Sequence, residues 1–210
     1  MSSVKDGTMI ILSSPSGAGK TTLTKKISAK DNFKVSVSHT TRPPRTNEIN
    51  GKDYIFVSKE NFNELIKNDQ FLEHAEVFKN FYGSGKEKVY EELNNGKNVV
   101  FDIDWQGTEQ IKKKKLNYKL ITFFILPPSK KVLLDRLIKR DLKDEKIVNE
   151  RMKQFEKDLQ QWRNYDYVVI NDDLEKCYNQ ITSIINENLN NEKVNYNLKN
   201  IEDHINSLLI

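Results

Sequence analysis

Cysteine is almost missing from this chain: Cys177 stands alone among 210 residues. A lone thiol excludes a disulfide framework and a cysteine-built metal centre, and it fits a reducing compartment. Histidine is nearly as scarce. His39, His74 and His204 are scattered without the spacing that metal ligation needs, so no imidazole-built metal site is expected. Long apolar runs are missing as well. The longest, LITFFIL (Leu120 to Leu126), is far too short to cross a bilayer, and the N-terminal MSSVKDGTM carries no signal-peptide apolar segment. A cytoplasmic location and no membrane partner are the expectation.

Arginine is the most informative shortage. Of 34 Lys and Arg residues only six are Arg, so Lys is the ordinary cation here. Each Arg then marks a place where a planar, forked guanidinium is wanted, a group that grips phosphate bidentately as an ammonium cannot. The net charge of +4 suits an anionic ligand but is too small and dispersed for nucleic acid. The run Lys112 to Lys115 reads as a solvated helix end, favoured by the helix dipole. No nucleic-acid partner is expected.

What is present describes a globular chain long enough for a sizeable core, 37% hydrophobic and 30% charged. Strand and helix patterns alternate. Met9 to Leu12 reads as a buried strand, LTKKISAK after Lys20 as a helix, and KVSVSH as a half-exposed strand. Residues 58 to 67 read as a helix with Ser58 as N-cap, and EKVYEELNNG as a helix stopped at Gly96. NVVFDID and KLITFFIL are of strand length, with a helix between them. Pro127 and Pro128 close the second, Ser129 opens a helix to about Arg140, and a long helix follows from about Glu145 to Trp162. YDYVVIN is a last strand and Asp173 to Leu189 a last long helix. This rhythm predicts an α/β fold, a parallel sheet covered on both faces. Residues from about 40 to 85 break the rhythm and read as an inserted lobe. Beyond Asn190, Ile201, Ile205, Leu208 and Leu209 have amphipathic spacing that suits docking on the body or on a partner.

SSPSGAGKTT (Ser13 to Thr22) lies between a predicted strand and a predicted helix, the context of a phosphate-binding P-loop. In this reading Ser14, Pro15, Ser16, Gly17, Ala18, Gly19, Lys20, Thr21 and Thr22 hold a nucleoside triphosphate. Backbone N–H groups cradle the phosphates, Lys20 reaches the terminal ones, and the Thr21 hydroxyl is an Mg²⁺ ligand. The usual motif begins with Gly where this chain has Ser14, a change that costs little unless the backbone there is left-handed. Asp102, at the end of NVVFDID, is placed for an outer-sphere contact with the metal, and Asp104 follows on the same side. In SHTTRPPRTNEINGKDY, Arg42 and Arg45 flank a stiff Pro-Pro pair with Tyr54 close by, a compact site for a dianionic phosphate such as that of a nucleoside monophosphate.

SPSGAGKTT, SHTTRPPRTNEINGKDYIFV, FLEHAEVF, FYGS, VVFDIDWQG and VVINDD stand in the order and spacing of guanylate kinases, so residues from about 8 to 189 resemble that family. The resemblance implies a P-loop kinase fold with a five-stranded parallel core sheet, an inserted GMP-binding lobe and a helical lid. It implies transfer from ATP to GMP, and to dGMP, in purine nucleotide metabolism and GMP recycling, with Mg²⁺ as cofactor and ATP and GMP as partners. Arg42, Arg45, Tyr54 and Tyr82 would hold the GMP phosphate. Ser38, Glu73, Gly83, Ser84, Asp102 and Asp104 would line the rest of the GMP site. One carboxylate, Glu73, suits the N1 and N2 donors of guanine and leaves adenine mismatched. Arg136, Arg140 and Arg151 match the lid and donor-phosphate positions, with Lys20, Arg140 and Arg151 as the catalytic charges and Asn171 beside adenine. Asp141 replaces a usual Gly after Arg140, which implies a stiffer hinge; Arg163 is left as surface. The implied organisation is a core of 1–38 and 97–190, a GMP lobe of about 39–96, a lid of about 140–151 and a tail of 191–210. The alternatives are a non-catalytic phosphopeptide-binding relative, against which Lys20 and Thr21 argue, and a kinase for another base, against which Glu73 and Ser38 argue.

Overall fold

The computed structural model describes residues 6–140 and 144–209. Five strands form a parallel sheet in the order β2-β7-β1-β8-β9: β1 Met9–Ser13, β2 Phe33–Ser36, β7 Asn98–Asp102, β8 Leu120–Leu126 and β9 Tyr167–Ile170. Every residue of β1 is buried, which explains a continuous apolar run in place of alternation. The chain divides into two compact units, one of the chain up to Ile11 with Lys30–Leu120, the other of Leu12–Ala29 with the chain from Ile121 onward.

In the first unit Met9, Ile11, Val99, Phe101 and Ile111 pack with Leu72, Val89 and Leu93 into one cluster. Helix α3 (Lys86–Asn94) ends where Gly96 takes a φ of +74°, the left-handed stop that its sequence predicted. A second sheet, of order β4-β3-β6-β5, occupies the stretch that breaks the alternation: β3 His39–Thr40, β4 Ile55–Phe56, β5 Phe71–Val77 and β6 Asn80–Gly85. β5 and β6 form an antiparallel hairpin in which Glu73 faces Ser84 and Val77 faces Asn80. Helix α2 (Lys59–Lys67) is capped as expected, Asn61 N–H donating to Ser58 Oγ at 3.1 Å. It contributes Phe62, fully buried and stacked between Phe71 at 4.6 Å and Phe81 at 5.5 Å. Gly83 lies against this stack; a Cβ there would meet Phe71 at 2.9 Å. Helix α4 (Trp105–Lys114) follows β7, with Lys112, Lys113 and Lys114 in its last turn.

In the second unit α1 (Lys20–Ser28) follows β1, α5 (Lys130–Arg140) packs on α6 (Glu145–Leu159), and α7 (Leu174–Leu189) packs on α1 and β9. Val132 N–H donates to Ser129 Oγ, so Ser129 does open α5. The helix expected to run to Trp162 stops at Leu159, and Gln160–Asn164 tightens into a 3₁₀ turn. The tail forms α8 (Lys199–Leu209), which buries Ile201, Ile205 and Leu208 but leaves Leu209 exposed. Its His204 Nε2 lies 2.9 Å from Pro127 O. Before it, the Tyr196 hydroxyl bridges β9, accepting from Val168 N–H at 2.7 Å and donating to Val168 O at 3.1 Å. The tail therefore docks on the body of its own chain. No helix among the described residues is long and apolar enough to cross a membrane.

Candidate active site

The site residues read from the sequence separate cleanly. Those assigned to the donor nucleotide, apart from the metal's outer-sphere Asp102, lie in the second unit, and those assigned to the acceptor in the first.

In the second unit the loop from Ser14 to Gly19 links β1 to α1. Gly17 and Gly19 have φ of +93° and +101°, which L side chains rarely adopt, and the loop is packed so closely that a Cβ on Gly19 would lie 2.2 Å from Asn171 Nδ2. Ser14 is not among the positive-φ residues, which removes the reason for Gly there. Gly19 caps α1, with Lys20 as its first residue and the exposed Thr21 and Thr22 next, so the loop runs into a helix start, the kind of terminus that suits an anion. Arg151 Nη1 donates to Ser16 Oγ at 2.7 Å. Arg136 Nη2 donates to Asn171 O at 3.2 Å and Nη1 reaches Ala18 O at 3.5 Å. Asn171 is buried; its amide donates to Ala18 O at 2.7 Å while its Oδ1 has no hydrogen-bond partner among the described residues. The side chain of Arg140, and Asp141 with the hinge it was read to stiffen, lie outside the described residues. Arg163 is 72% exposed, stacked over Trp162 at 4.5 Å.

In the first unit two clusters form. One gathers Arg42, Arg45, Tyr54 and Tyr82. The Arg42 guanidinium lies 5.4 Å over the Tyr54 ring, and the Tyr54 and Tyr82 rings meet edge-on at 6.1 Å. Burial pushes the Tyr54 phenol far above its ordinary pKa, and the Asp102 charge adds to the shift, so Tyr54 remains a hydrogen-bond donor at neutral pH. Sequence reasoning missed the residue at the centre of this cluster. The Glu48 carboxylate accepts from Arg42 Nη2 with both oxygens at 2.9 Å, from Arg45 Nη1 at 3.1 Å and from Arg45 N–H at 2.8 Å. Burial would lower the Arg42 pKa, but hydrogen bonding and charge from Glu48 and Tyr82 outweigh it and hold the group above its ordinary value. Burial would raise Glu48; the bonds from Arg45 and Arg42 win and hold it below the usual carboxylate range. The available signal was that Glu48 is the one acid between Arg42 and Gly51.

The second cluster surrounds Glu73, a carboxylate only 3% exposed. Its Oε1 accepts from the Ser84 hydroxyl at 2.6 Å and from Ser84 N–H at 3.0 Å, across the β5–β6 hairpin. Its Oε2 lies against Gly107 in the first turn of α4, where a Cβ would come within 2.3 Å. Gly107 is the other residue that sequence reasoning passed over. Ser38 is buried between β2 and β3, its carbonyl accepting from Ile55 N–H at 2.9 Å. Asp104 caps α4, accepting from Gly107 N–H at 3.0 Å and Gln106 Nε2 at 2.9 Å, so its carboxylate has a structural duty that the sequence did not reveal.

The Mg²⁺ expectation fits the available donors in kind. Thr21 and Asp102 offer hard oxygen atoms, and Mg²⁺ is ordinarily held by few protein oxygens together with phosphates and water. Among the described residues no group of three or more His, Cys, Asp or Glu is placed to hold a metal by itself.

Known proteins carry the same pattern. The profile of the family described as guanylate kinase matches residues 6–188. Guanylate kinase of Wolbachia pipientis wMel is 45% identical over 183 residues, covering 87% of this chain and 90% of that protein. Guanylate kinase of Hyphomonas neptunium is 40% identical over 204 residues, covering 97% and 92%, a match that continues past α7. The crystal structure of guanylate kinase from Anaplasma phagocytophilum aligns with a TM-score of 0.73 at 33% identity, over 88% of this chain and 87% of that one.

Proposed function

The chain belongs to the guanylate kinase family, and from that premise we propose that it transfers the terminal phosphoryl group of ATP to GMP, releasing ADP and GDP. The observation that carries this reading is the buried Glu73 carboxylate, fixed by Ser84 in the same unit as the Arg42, Arg45, Tyr54 and Tyr82 cluster. A base reader and a phosphate holder stand together there.

Glu73 accepts from N1–H and N2–H₂ of guanine, Ser38 donates to O6, and Ser84 holds Glu73 in place, with Gly83, Asp102 and Asp104 lining the pocket. Arg42, Arg45, Tyr54 and Tyr82 hold the acceptor phosphate. None of these roles involves the ribose 2′-hydroxyl, so dGMP is a substrate too. Residues of about 39–96 make the acceptor lobe and those of about 140–151 the lid. On the donor side the loop from Ser14 to Thr22 cradles the ATP phosphates. Arg136 braces that loop through the carbonyls of Ala18 and Asn171, and Asn171 Oδ1 accepts from the adenine amino group.

The acceptor oxygen is already ionised near neutral pH, because the second pKa of a phosphate monoester is about 6. No general base is therefore required, and catalysis consists of positioning and charge neutralisation. Lys20, Arg140 and Arg151 neutralise charge on the transferring group. The Thr21 hydroxyl, with Asp102 as an outer-sphere acid, would hold Mg²⁺, which would supply further charge neutralisation on the donor phosphates. Closure of the lid excludes water and suppresses hydrolysis. The reaction belongs to purine nucleotide metabolism, where it recycles GMP, and a buried free thiol with soluble nucleotide substrates suits the cytoplasm. A phosphopeptide-binding scaffold has no need of the left-handed Gly17 and Gly19 leading into Lys20 and Thr21.

ADP release measured with GMP, dGMP, AMP, CMP, UMP and dTMP in turn tests the reading. GMP should exceed AMP by at least about 10²-fold in kcat/KM, since adenine leaves the buried carboxylate mismatched. Comparable rates with AMP would overturn the base assignment. Lys20→Ala should abolish turnover without altering the thermal melt, and near-normal turnover in that folded variant would remove the P-loop from the mechanism.

A further inference from the structure

Glu48 has no place in the roles assigned so far, yet its carboxylate binds both arginines of the acceptor-phosphate cluster. A carboxylate offers about four acceptor positions. Both oxygens receive Arg42 Nη2, Oε2 also receives Arg45 N–H, and Oε1 also receives Arg45 Nη1. With its positions filled and its side chain 15% exposed, Glu48 is available neither as a proton acceptor nor as a ligand for solvent cations. The backbone builds this arrangement in: Glu48 N–H donates to Arg45 O at 3.0 Å, closing the turn on which both residues stand.

The donors left over point to the purpose. A guanidinium carries five N–H groups. Arg42 commits Nη1 to Pro43 O at 2.6 Å and Nη2 to Glu48. Arg45 commits Nη1 to Glu48, and its Nε and Nη2 have no hydrogen-bond partner among the described residues, on a side chain 39% exposed. Two cations at one site repel each other and carry long, mobile side chains. A carboxylate bound to both removes the repulsion, freezes the rotamers and leaves an outward set of open donors.

We propose that Glu48 is the positioning residue of the acceptor-phosphate site, binding Arg42 and Arg45 into one preformed fork whose remaining N–H groups receive the phosphate of the nucleoside monophosphate. The inference rests on the acceptor assignment made above. It has a rival with the opposite sign. If Glu48 occupied the place that the phosphate takes, its carboxylate would compete with the substrate, and removing its charge would tighten binding. As a positioning residue, its removal weakens binding.

The test is steady-state kinetics and equilibrium GMP titration of wild type, E48Q, E48D and R42K, each with a thermal melt. E48Q keeps the shape but turns one acceptor oxygen into an NH₂ that faces guanidinium or backbone donors. Its KM and Kd for GMP should rise about 10- to 100-fold, the range of a lost charged hydrogen bond, while KM for ATP stays within about twofold. E48D, which keeps the charge one methylene short, should recover part of the loss. An unchanged or lowered Kd for GMP in E48Q overturns the proposal. So does a parallel rise of both KM values, which would mark general damage. Should E48Q lose its cooperative melt, E48D decides: a raised Kd for GMP with KM for ATP held supports the role, and an unchanged Kd for GMP refutes it. R42K separates the two layers of the argument. A raised Kd for GMP in R42K with none in E48Q removes Glu48 alone, and wild-type behaviour of both removes the acceptor assignment itself.

Discussion

Replacing Gly107 by alanine sets two effects of known size against each other. Gly107 lies in the first turn of α4 and its φ is not in the left-handed region, so helix propensity alone predicts that alanine stabilises the protein, by at most about 1 kcal/mol. The new Cβ, however, would lie 2.3 Å from Glu73 Oε2 and 2.9 Å from its carboxyl carbon, where ordinary contact begins at 3.4 Å. Something must move by about 1 Å, and the Glu73 side chain yields at less cost than the shift of a whole helix. A carboxylate displaced that far cannot keep both the 2.6 Å bond from Ser84 Oγ and the 3.0 Å bond from Ser84 N–H. A lost hydrogen bond to a buried charge costs about 1.5–3 kcal/mol, which exceeds the propensity gain. The melting temperature should therefore fall by a few degrees, at about 2–4 °C per kcal/mol for a chain of this size. The same displacement moves the acceptor oxygens out of register with guanine, and kcat/KM for GMP should drop about 10- to 100-fold while KM for ATP holds. The assay is coupled ADP release beside a thermal melt. A G107A variant that melts higher than wild type and keeps its GMP kinetics would show that propensity alone decides, and the contact with Glu73 would carry no function.

Glu73→Gln should reduce kcat/KM for GMP by tens to several hundredfold, a cost on the order of 2–4 kcal/mol, and raise the rate with AMP, so the GMP-to-AMP ratio narrows from both sides. Ser84 donates to Oε1, which orients the amide so that its NH₂ faces the base; an unchanged ratio would exclude Glu73 from base recognition. Removing residues from Asn191 onward should leave kcat nearly unchanged and lower the melting temperature, because α8 buries three apolar side chains and carries none of the assigned site residues; a soluble truncated protein without activity would contradict this. Cys177 is 1% exposed and burial pushes its thiol up to about 12, so a thiol reagent at pH 8 should label nothing in the folded protein and one group after unfolding.

Local signals made half of the molecule legible. The P-loop needs only neighbouring residues: two glycines at positive φ, then Lys20 and Thr21 at a helix start, and the backbone at Ser14 removes the one doubt in its spelling. Ser58, Ser129 and Gly96 act at the helix ends that their chemistry predicts. The lobe between residues 40 and 85 was recognised as an insertion, but its sheet was not. Its β3 and β4 have two residues each, too short for any period to show. The β5–β6 hairpin turns at Phe78 and Lys79, both at positive φ, where the usual turn signal would be Asn-Gly. Glu48 and Gly107 were invisible for a shared reason. Each acquires its role from a side chain brought to it by folding, and neither residue type in its own neighbourhood departs from the ordinary. For the tail the spacing of Ile201, Ile205 and Leu208 gave the buried face but not what it would be buried against.

The Tyr196 bridge has a bearing on how this protein behaves in a crowded solution. β9 ends the five-stranded sheet, and such a strand offers an unpaired row of N–H and C=O groups to any extended segment that passes. A single phenol answers both polar groups of Val168, and α8 lies beside the same strand, so the chain's own end closes the border against recruitment of a further strand. Stop codons or proteolysis before Tyr196 would therefore do their damage between molecules: the enzyme would still turn over substrate while acquiring a sticky margin, and its loss would be seen as precipitation with concentration and time.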